Sequence, residues 1–349
     1  MGGILKVCFV ITSLARKGPI IVVQDLVNNY LKAGVEVDIV YFDDIVDVSF
    51  GPYVNLIRVK FWSRFDFSNY DVVHTHLLRG DLFGALNKNS INKLISTCHS
   101  DFTFDLKLSH GVVIGSIVSE LWKQSYRFFD CVVFLTKVNK DRYIGITKNE
   151  IIYNGRPKPF LVEHEDESYS EKIAGKIVIG TCAYLTKRKA LEQLVECAKI
   201  RDNINEVYVI VGDGPDRASL IERVNSLNLS DKFIFVSFTP NVYNYIDSFD
   251  VFCMTSSSEG MPLSLIEAAS MKTPIVSSRI KVVEEMFNGG EIGFYDFGNI
   301  KELDNSLSKV LADKRNYSNK VYSKYLESYT DIKMSSQYLS LYNKLVENV

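Results

Sequence analysis

The apolar positions along the chain fall into two kinds of run. KVCFVITSL (6–14) is almost continuously apolar, the pattern of a strand buried on both faces of a parallel sheet. After RKGP, the stretch IIVVQDLVNNYLKAG spaces its apolar residues by three and four and stops at Gly34, which predicts a helix. VEVDIVYF, DVVHTHLL (71–78), KLISTCHS (93–100) and CVVFLT (131–136) predict further strands with helical stretches between them, and IIYNGRP (151–157) a last strand for this half. Residues 158–175 are polar and acidic and read as a linker. A second series follows: KIVIGTCAYL (176–185), a helix across 189–201, VYVIVGDG (207–214), a helix over about 215–228, FIFVSF (233–238), DVFCMTSS (250–257) and PIVSS (274–278). Strands alternating with helices predict an α/β chain of two doubly wound, Rossmann-like domains, 1–157 and 176–330, closed by a terminal helix over 331–349.

Composition narrows the classes. With 349 residues, 46% of them apolar, 23% charged and a mean hydropathy near zero, the chain can bury two real cores. A net charge of −2 argues against nucleic acid as a partner. Cys8, Cys98, Cys131, Cys182, Cys197 and Cys253 are scattered without a C-x-x-C pair, which reads as buried free thiols in a reducing, cytoplasmic setting. No apolar run approaches the roughly 18 residues of a spanning helix. VCFVITSLA runs straight into a βαβ pattern instead of behaving as a signal peptide, and MGGILK has Lys where myristoylation wants Ser or Thr. The expectation is a soluble protein.

Candidate chemistry gathers at predicted strand ends. Arg16-Lys17-Gly18-Pro19 and Gly212-Asp213-Gly214-Pro215 each read as a phosphate cradle or a plain turn, and neither is G-x-G-x-x-G or a Walker loop. Lys187, Arg188 and Lys189 form a basic run that is either a solvated face or a partner for a diphosphate without metal. No Asp-x-Asp pair is present to hold a metal-bound nucleotide. His74 and His76 flank Thr75 on one strand face, more in keeping with a polar cluster than a metal site, and His99 closes KLISTCHS. Then SSSEGMPLSLIEA (256–268) puts Glu259 and Glu267 on either side of a predicted helix start, with Pro262 as its first residue. Glu267 lies about 7 Å up that axis at 1.5 Å per residue. A helix start suits an anion, and a carboxylate accepts from a pair of neighbouring hydroxyls. Paired glutamates around an anion therefore fit a nucleotide sugar, unless Glu267 only solvates its helix and Glu259 only closes a turn.

SSSEGMPLSLIEAASMKTPIVSS strongly resembles the signature of family 4 retaining glycosyltransferases, of GT-B fold, with two facing Rossmann-like domains and a donor cleft between them. The resemblance runs nearly end to end, through KVCFVITSLARKGPI, HTHLLRGD, TCHS, IIYNGRP and VYVIVGDGPDRASL. It implies metal-independent transfer, with retention at the anomeric carbon, from a nucleotide sugar (by family habit a UDP-sugar) to a glycan or lipid-linked oligosaccharide in surface polysaccharide synthesis, with no separate cofactor. Carried over by position, Glu259 contacts donor sugar hydroxyls and Glu267 the ribose diol. The N–H groups of Leu263 and Ser264, beyond the turn of Gly260 and Met261, meet the phosphates together with Lys189 and Gly18. His99 stands near the reacting centre, and Phe238 and Thr239 back the base. The terminal helix packs back on the first domain. Three positions depart from the family: Tyr184 replaces a phosphate-binding arginine that Arg188 could substitute, Ala190 follows the lysine where Gly is usual, and Pro19 removes an N–H from the first loop. A GT-B sugar-nucleotide epimerase and a non-catalytic sugar-nucleotide or glycan-binding partner remain as alternatives. Aromatic and basic residues in LWKQSYRFFDCVVFLTKVNKDRY (121–143) raise peripheral contact with the inner membrane face, against the simpler reading that Trp122, Tyr126 and Phe129 are core.

Overall fold

A computed structural model describes residues 4–143, 145–146, 148–161, 167–201 and 204–347. The apolar runs do form parallel strands. β1 (Lys6–Leu14), β2 (Glu36–Val46), β3 (Asn55–Arg58), β4 (Val72–His76), β5 (Lys93–Cys98), β6 (Cys131–Phe134) and β7 (Asn149–Ile151) pair in the order 3-2-1-4-5-6-7. Between and around them run α1 (Gly18–Lys32), α2 (Leu77–Leu86), α3 (Phe102–His110), α4 (Val112–Ser125) and α5 (Lys137–Arg142). α1 buries Ile20, Val23, Leu26, Val27 and Tyr30, which the three-and-four spacing puts on one side.

The expected strand at 151–157 is shorter and earlier than its sequence promises. β7 ends at Ile151, and Arg156 instead bridges in parallel to Thr330. A Cβ on Gly155 would lie 2.2 Å from the Thr330 carbonyl oxygen, so only glycine permits this approach.

The second series begins with α6 (Glu167–Ile173), inside the segment expected to be a linker; residues 162–166 of that segment lie outside the described residues. Tyr169 is what folds it: the side chain is buried, its OH lies 2.6 Å from Ser248 Oγ and its ring meets Tyr245. β8 (Ile177–Cys182), β9 (Glu206–Val211), β10 (Phe233–Val236), β11 (Val251–Met254), β12 (Ile275–Ser278) and β13 (Gly293–Tyr295) pair in the order 10-9-8-11-12-13, all parallel. Their helices are α7 (Glu192–Arg201), α8 (Arg217–Ser226), α9 (Val242–Asp247), α10 (Leu263–Ser270), α11 (Lys281–Met286), α12 (Ile300–Ala312) and α13 (Lys314–Ser328). The helix expected across 189–201 is cut at its start: Lys187–Lys189 make a 3-10 turn, and Ala190 takes the left-handed conformation with φ 47°. A non-glycine residue there carries about 1–2 kcal/mol of strain.

α14 (Asp331–Glu347) completes the chain, with 348–349 of the expected helix outside the described residues. Residues 1–157 with 329–349 make one compact unit and residues 158–328 another. α14 joins the first through Tyr342 OH, 2.6 Å from His74 Nδ1, Tyr338 OH, 2.8 Å from Thr97 Oγ1, and Asn29, which donates to Asp331 and Ser335. A buried Arg156–Asp25 ion pair ties the start of this return to α1. All six cysteines are buried and free.

One carboxylate holds four elements of the first unit. Asp81 on α2 is fully buried and accepts from Thr75 on β4, Ser96 on β5, and Trp122 Nε1 at 2.7 Å on α4, with Tyr126 OH at 3.1 Å. Trp122, Tyr126 and Phe129 are thus interior residues, not a membrane face. Replacing Asp81 with Ala strands these donors in a dry site, at about 1–3 kcal/mol for each that finds no substitute. Thermal unfolding of Asp81→Ala is expected to show a loss of about 3 kcal/mol or more; an unchanged melting temperature would deny the network its role.

Candidate active site

The second unit brings together most of the residues the sequence singles out. β8 and β11 are neighbours, and the chain leaving each carboxyl end supplies the cluster. Leaving β8, the 3-10 turn presents Arg188 and Lys189. Leaving β11, Ser256, Ser257 and Ser258 lead to Glu259. Lys189 Nζ lies 2.6 Å from Glu259 Oε1, and Arg188 Nη1 lies 3.1 Å from Oε2 and 3.1 Å from the Ser258 carbonyl. Burial alone would raise the Glu259 carboxyl; Lys189 and then Arg188 outweigh it and hold the group below the usual carboxylate range. Glu259 is therefore an ionised, acceptor-only group whose side chain is 7% exposed.

Neighbours that sequence reasoning passed over fix the basic turn. Thr255 Oγ1 donates to the Lys189 carbonyl, Gln193 Nε2 donates to the Thr255 carbonyl, and Ser257 N–H donates to the Arg188 carbonyl. Gln193 in turn accepts from the Gly298 N–H at 2.7 Å. Nothing in the one-dimensional pattern marks Gln193, because the partners that fix it to the site and to the end of β13 lie 62 to 105 residues away.

Pro262 stands at the N-cap of α10 rather than inside it, so the helix opens on Leu263 and Ser264. First-turn N–H groups have no carbonyl partner within their own helix. Lys189, Ser264, Thr255 and Cys182 line a small cavity of about 10 Å³. A cation, a helix start and two sheet-strand ends thus converge there, with Gly260 and Met261 forming the connection to Glu259. Glu267 is half-buried in α10, and burial and then the Glu267 charge push the Cys182 thiol up.

Other expected donor residues are placed less completely. Phe238 is exposed and its N–H donates to Asp213 Oδ2 at 2.6 Å, leaving its carbonyl; the Thr239 hydroxyl accepts from Asn241 N–H. At the Gly212–Pro215 stretch the glycines serve close backbone packing. A Cβ on Gly212 (φ 134°) would lie 2.0 Å from the Ala183 carbonyl oxygen, and the Gly212 N–H donates to Val236. Tyr184 is 69% exposed beside the strand end where the family has arginine. In the first unit Gly18 opens α1, Pro19 donates nothing, and the Ile20 and Ile21 N–H groups turn back to the Lys17 carbonyl. An anion at this helix start would meet the Gly18 N–H.

Histidines form a row at the carboxyl ends of β4 and β5. His74 bonds Tyr342 OH and Thr97 Oγ1, and the His76 ring stands 4.3 Å from the His74 ring. His76 Nδ1 lies 2.7 Å from His99 Nε2, while His76 Nε2 is buried without a partner. A bare lone pair costs less there than an orphaned N–H, so His76 donates from Nδ1 and His99 keeps its own proton on Nδ1. His76 thus orients the His99 ring, a contact that the sequence reading of His74 and His76 as a polar cluster does not include. Burial lowers His74 and His99 to about 3 and His76 well below its usual value, with neighbouring imidazoles adding to the shift at His74 and His76.

Two family models match the chain: one described as Glycosyltransferase Family 4 over residues 18–157, the other as Glycosyl transferases group 1 over residues 163–326. With two parallel Rossmann-like sheets, they make the chain a glycosyltransferase of the GT-B class. It is 28% identical over 358 residues to an O-antigen biosynthesis glycosyltransferase WclY of Escherichia coli, covering 99% of this chain and 100% of that protein. It is 25% identical over 347 residues to the UDP-Gal:alpha-D-GlcNAc-diphosphoundecaprenol alpha-1,3-galactosyltransferase of Escherichia coli, covering 88% and 86%. The fold is also that of Anabaena Alr3699/HepE, whose structure with UDP and glucose superposes at a TM-score of 0.78 with 14% identity over 97% of this chain and 100% of that one. Both named relatives transfer sugars, which leaves the epimerase and non-catalytic alternatives without support.

Two outcomes test the electrostatics. Lys189→Met removes the closer cation from a carboxylate that is 7% exposed, and should cost about 3 kcal/mol in chemical denaturation, where Glu259→Gln costs less. For the histidines, the folded pKa values lie below the unfolded value near 6.5, so the unfolded chain takes up protons first and stability falls as pH drops from about 6.5 toward 3. Asp81, raised by burial to about 6 against its four hydrogen bonds, opposes this as pH falls through 6, but it is one group against three. Melting temperature is expected to fall between pH 7 and pH 4.5; a rise would contradict the neutral row.

Proposed function

We propose that the enzyme transfers a sugar, with retention and without a metal, from a UDP-sugar to a hydroxyl of a lipid-linked glycan on the route to a surface polysaccharide. The observation that carries this is the ionised Glu259 held between Lys189 and Arg188 beside the start of α10. Glu259 accepts from hydroxyls of the donor sugar, Glu267 accepts from the ribose diol, and the Leu263 and Ser264 N–H groups with Lys189 face the diphosphate. In the reaction the bond from the anomeric carbon to the phosphate oxygen breaks, and a bond to the acceptor oxygen forms on the same face. The acceptor's proton leaves with the departing diphosphate. Charge grows on that diphosphate in the transition state, where Lys189 and the helix start are worth most. His99, neutral and fixed by His76, hydrogen-bonds the sugar near the reacting carbon without carrying charge.

Arg188 takes the part of the family's phosphate-binding arginine, whose position five residues before Lys189 is held here by the exposed Tyr184. The lipid-linked acceptor rests on the relatives, one of which is named for a diphosphoundecaprenol-linked sugar. Such an acceptor places the enzyme at a membrane surface, and no helix among the described residues is long and apolar enough to cross one.

Thermal-shift titrations with UDP, GDP, ADP and their sugars test the donor assignment. Binding to the native state raises the melting temperature with ligand concentration. A UDP-sugar should stabilise the wild type, and Glu267→Ala should abolish the effect. In turnover assays Lys189→Ala should lower kcat by about 10²–10³. Stabilisation by no sugar nucleotide, or an unchanged Glu267→Ala response, would set the assignment aside.

A further inference from the structure

The charged groups assigned to opposite ends of the donor are in contact with one another. Glu259 Oε1 meets Lys189 Nζ at 2.6 Å and Oε2 meets Arg188 Nη1 at 3.1 Å, with the three side chains 7%, 14% and 29% exposed. Among the described residues neither cation pairs with another carboxylate, and the further contact of the Arg188 guanidinium is the Ser258 carbonyl. Two positive charges and one negative leave the cluster with a single net positive charge. Glu259 is therefore the counter-ion of these cations as well as a hydrogen-bond acceptor, and a diphosphate that approaches them must share them with it.

Such a cluster acts differently on a nucleotide sugar and on the nucleotide that departs. In the proposed reaction the sugar hydroxyls donate to Glu259, while Lys189 and the start of α10 meet the diphosphate. Once the sugar is transferred and its proton is lost to water, the terminal phosphate carries one more negative charge, because such a group titrates near about 6. That charge falls on the side where the sugar was, against a carboxylate to which it has no hydroxyl to offer. Like charges repel strongly where water is largely excluded. The Ser256 hydroxyl adds a second observation. It is fully buried, lines the same small cavity as Lys189 and Ser264, lies close to the Glu259 carboxyl and has no hydrogen-bond partner among the described residues. A donor so placed keeps the carboxylate ionised when a diphosphate draws Lys189 toward itself.

We propose that Glu259 is the residue by which the site tells its donor from its product: its charge accepts the sugar hydroxyls of the nucleotide sugar and repels the added charge of the nucleoside diphosphate, which speeds release. This deepens the donor reading and rests on it. Lys189 and the helix start still favour a second phosphate over none, and Glu259 sets how far that preference goes. A carboxylate that only pinned the two loops together would act on every ligand alike, because loosening the turn of Arg188 and Lys189 spoils the site for each.

The test is isothermal titration of the full chain, at about pH 8, where a terminal phosphate is fully ionised. The probes are UDP, its β-methyl ester, which keeps both phosphates without the terminal charge, and a UDP-sugar. The wild type should bind UDP no more tightly than the ester. Glu259→Gln keeps the shape and removes the charge. It should bind UDP at least about tenfold more tightly than the wild type does, and the advantage of the UDP-sugar over UDP should shrink by a similar factor. A wild type that binds UDP more tightly than the ester overturns the proposal without recourse to any variant. So does a Glu259→Gln protein, shown to be folded by its urea midpoint, that binds UDP no better than the wild type, the result expected of a residue that only holds the loops. If UDP-sugar still binds the wild type in either case, this proposal alone has failed. If no uridine ligand binds either protein, the donor reading has failed and the proposal falls with it.

Discussion

The charge on Glu259 is the constraint around which the second unit is arranged. A carboxylate that is 7% exposed does not stay ionised by itself, because desolvation favours its neutral form. Two cations within about 3 Å reverse that preference, and holding them there determines much of the local chain path. The 3-10 turn, the left-handed Ala190 and the Thr255 and Gln193 hydrogen bonds all serve to bring Arg188 and Lys189 to one point at the end of β8. Strain at Ala190 is of the kind that accumulates where geometry matters more than local preference. A site so held is preorganised, with its dipoles set before substrate arrives.

The first unit solves a related problem with opposite means. His74, His76 and Asp81 lie in its interior with the half-buried His99 beside them, and hydrogen bonds from hydroxyls, an indole or another ring hold them, with His76 Nε2 left bare. Burial keeps the imidazoles neutral and pushes the Asp81 carboxyl up. Tyr338 and Tyr342 of the last helix complete this polar interior, so the chain's final element supports the strand ends on which His76 and His99 sit.

Long buried strands were legible in the sequence because a strand covered on both faces is apolar at nearly every position, as in KVCFVITSL and CVVFLT. Short edge strands were not. β3 is mostly exposed and β13 has three residues, so neither carries a run that stands out. The α6 helix was hidden in an acidic segment because its one anchor, Tyr169, finds its partners more than seventy residues later. Glu259, Lys189 and Glu267 could be read from strand-end position and helix-start chemistry together with the family pattern. Arg188 was visible as one of three basic residues and as a possible substitute for the arginine missing at Tyr184, and His76 only as one of a pair. Their roles depend on distances between loops that no spacing within a single loop encodes.

If the cluster at the end of β8 and the start of α10 is a diphosphate-sugar site, its affinity must depend on the second phosphate. Isothermal titration of UDP and UMP against the wild type and Lys189→Ala measures this directly. The account predicts at least about a tenfold preference for UDP in the wild type, or 1.4 kcal/mol, and its collapse when Lys189 is removed. Equal affinity for UDP and UMP, or a preference that survives in Lys189→Ala, would contradict it.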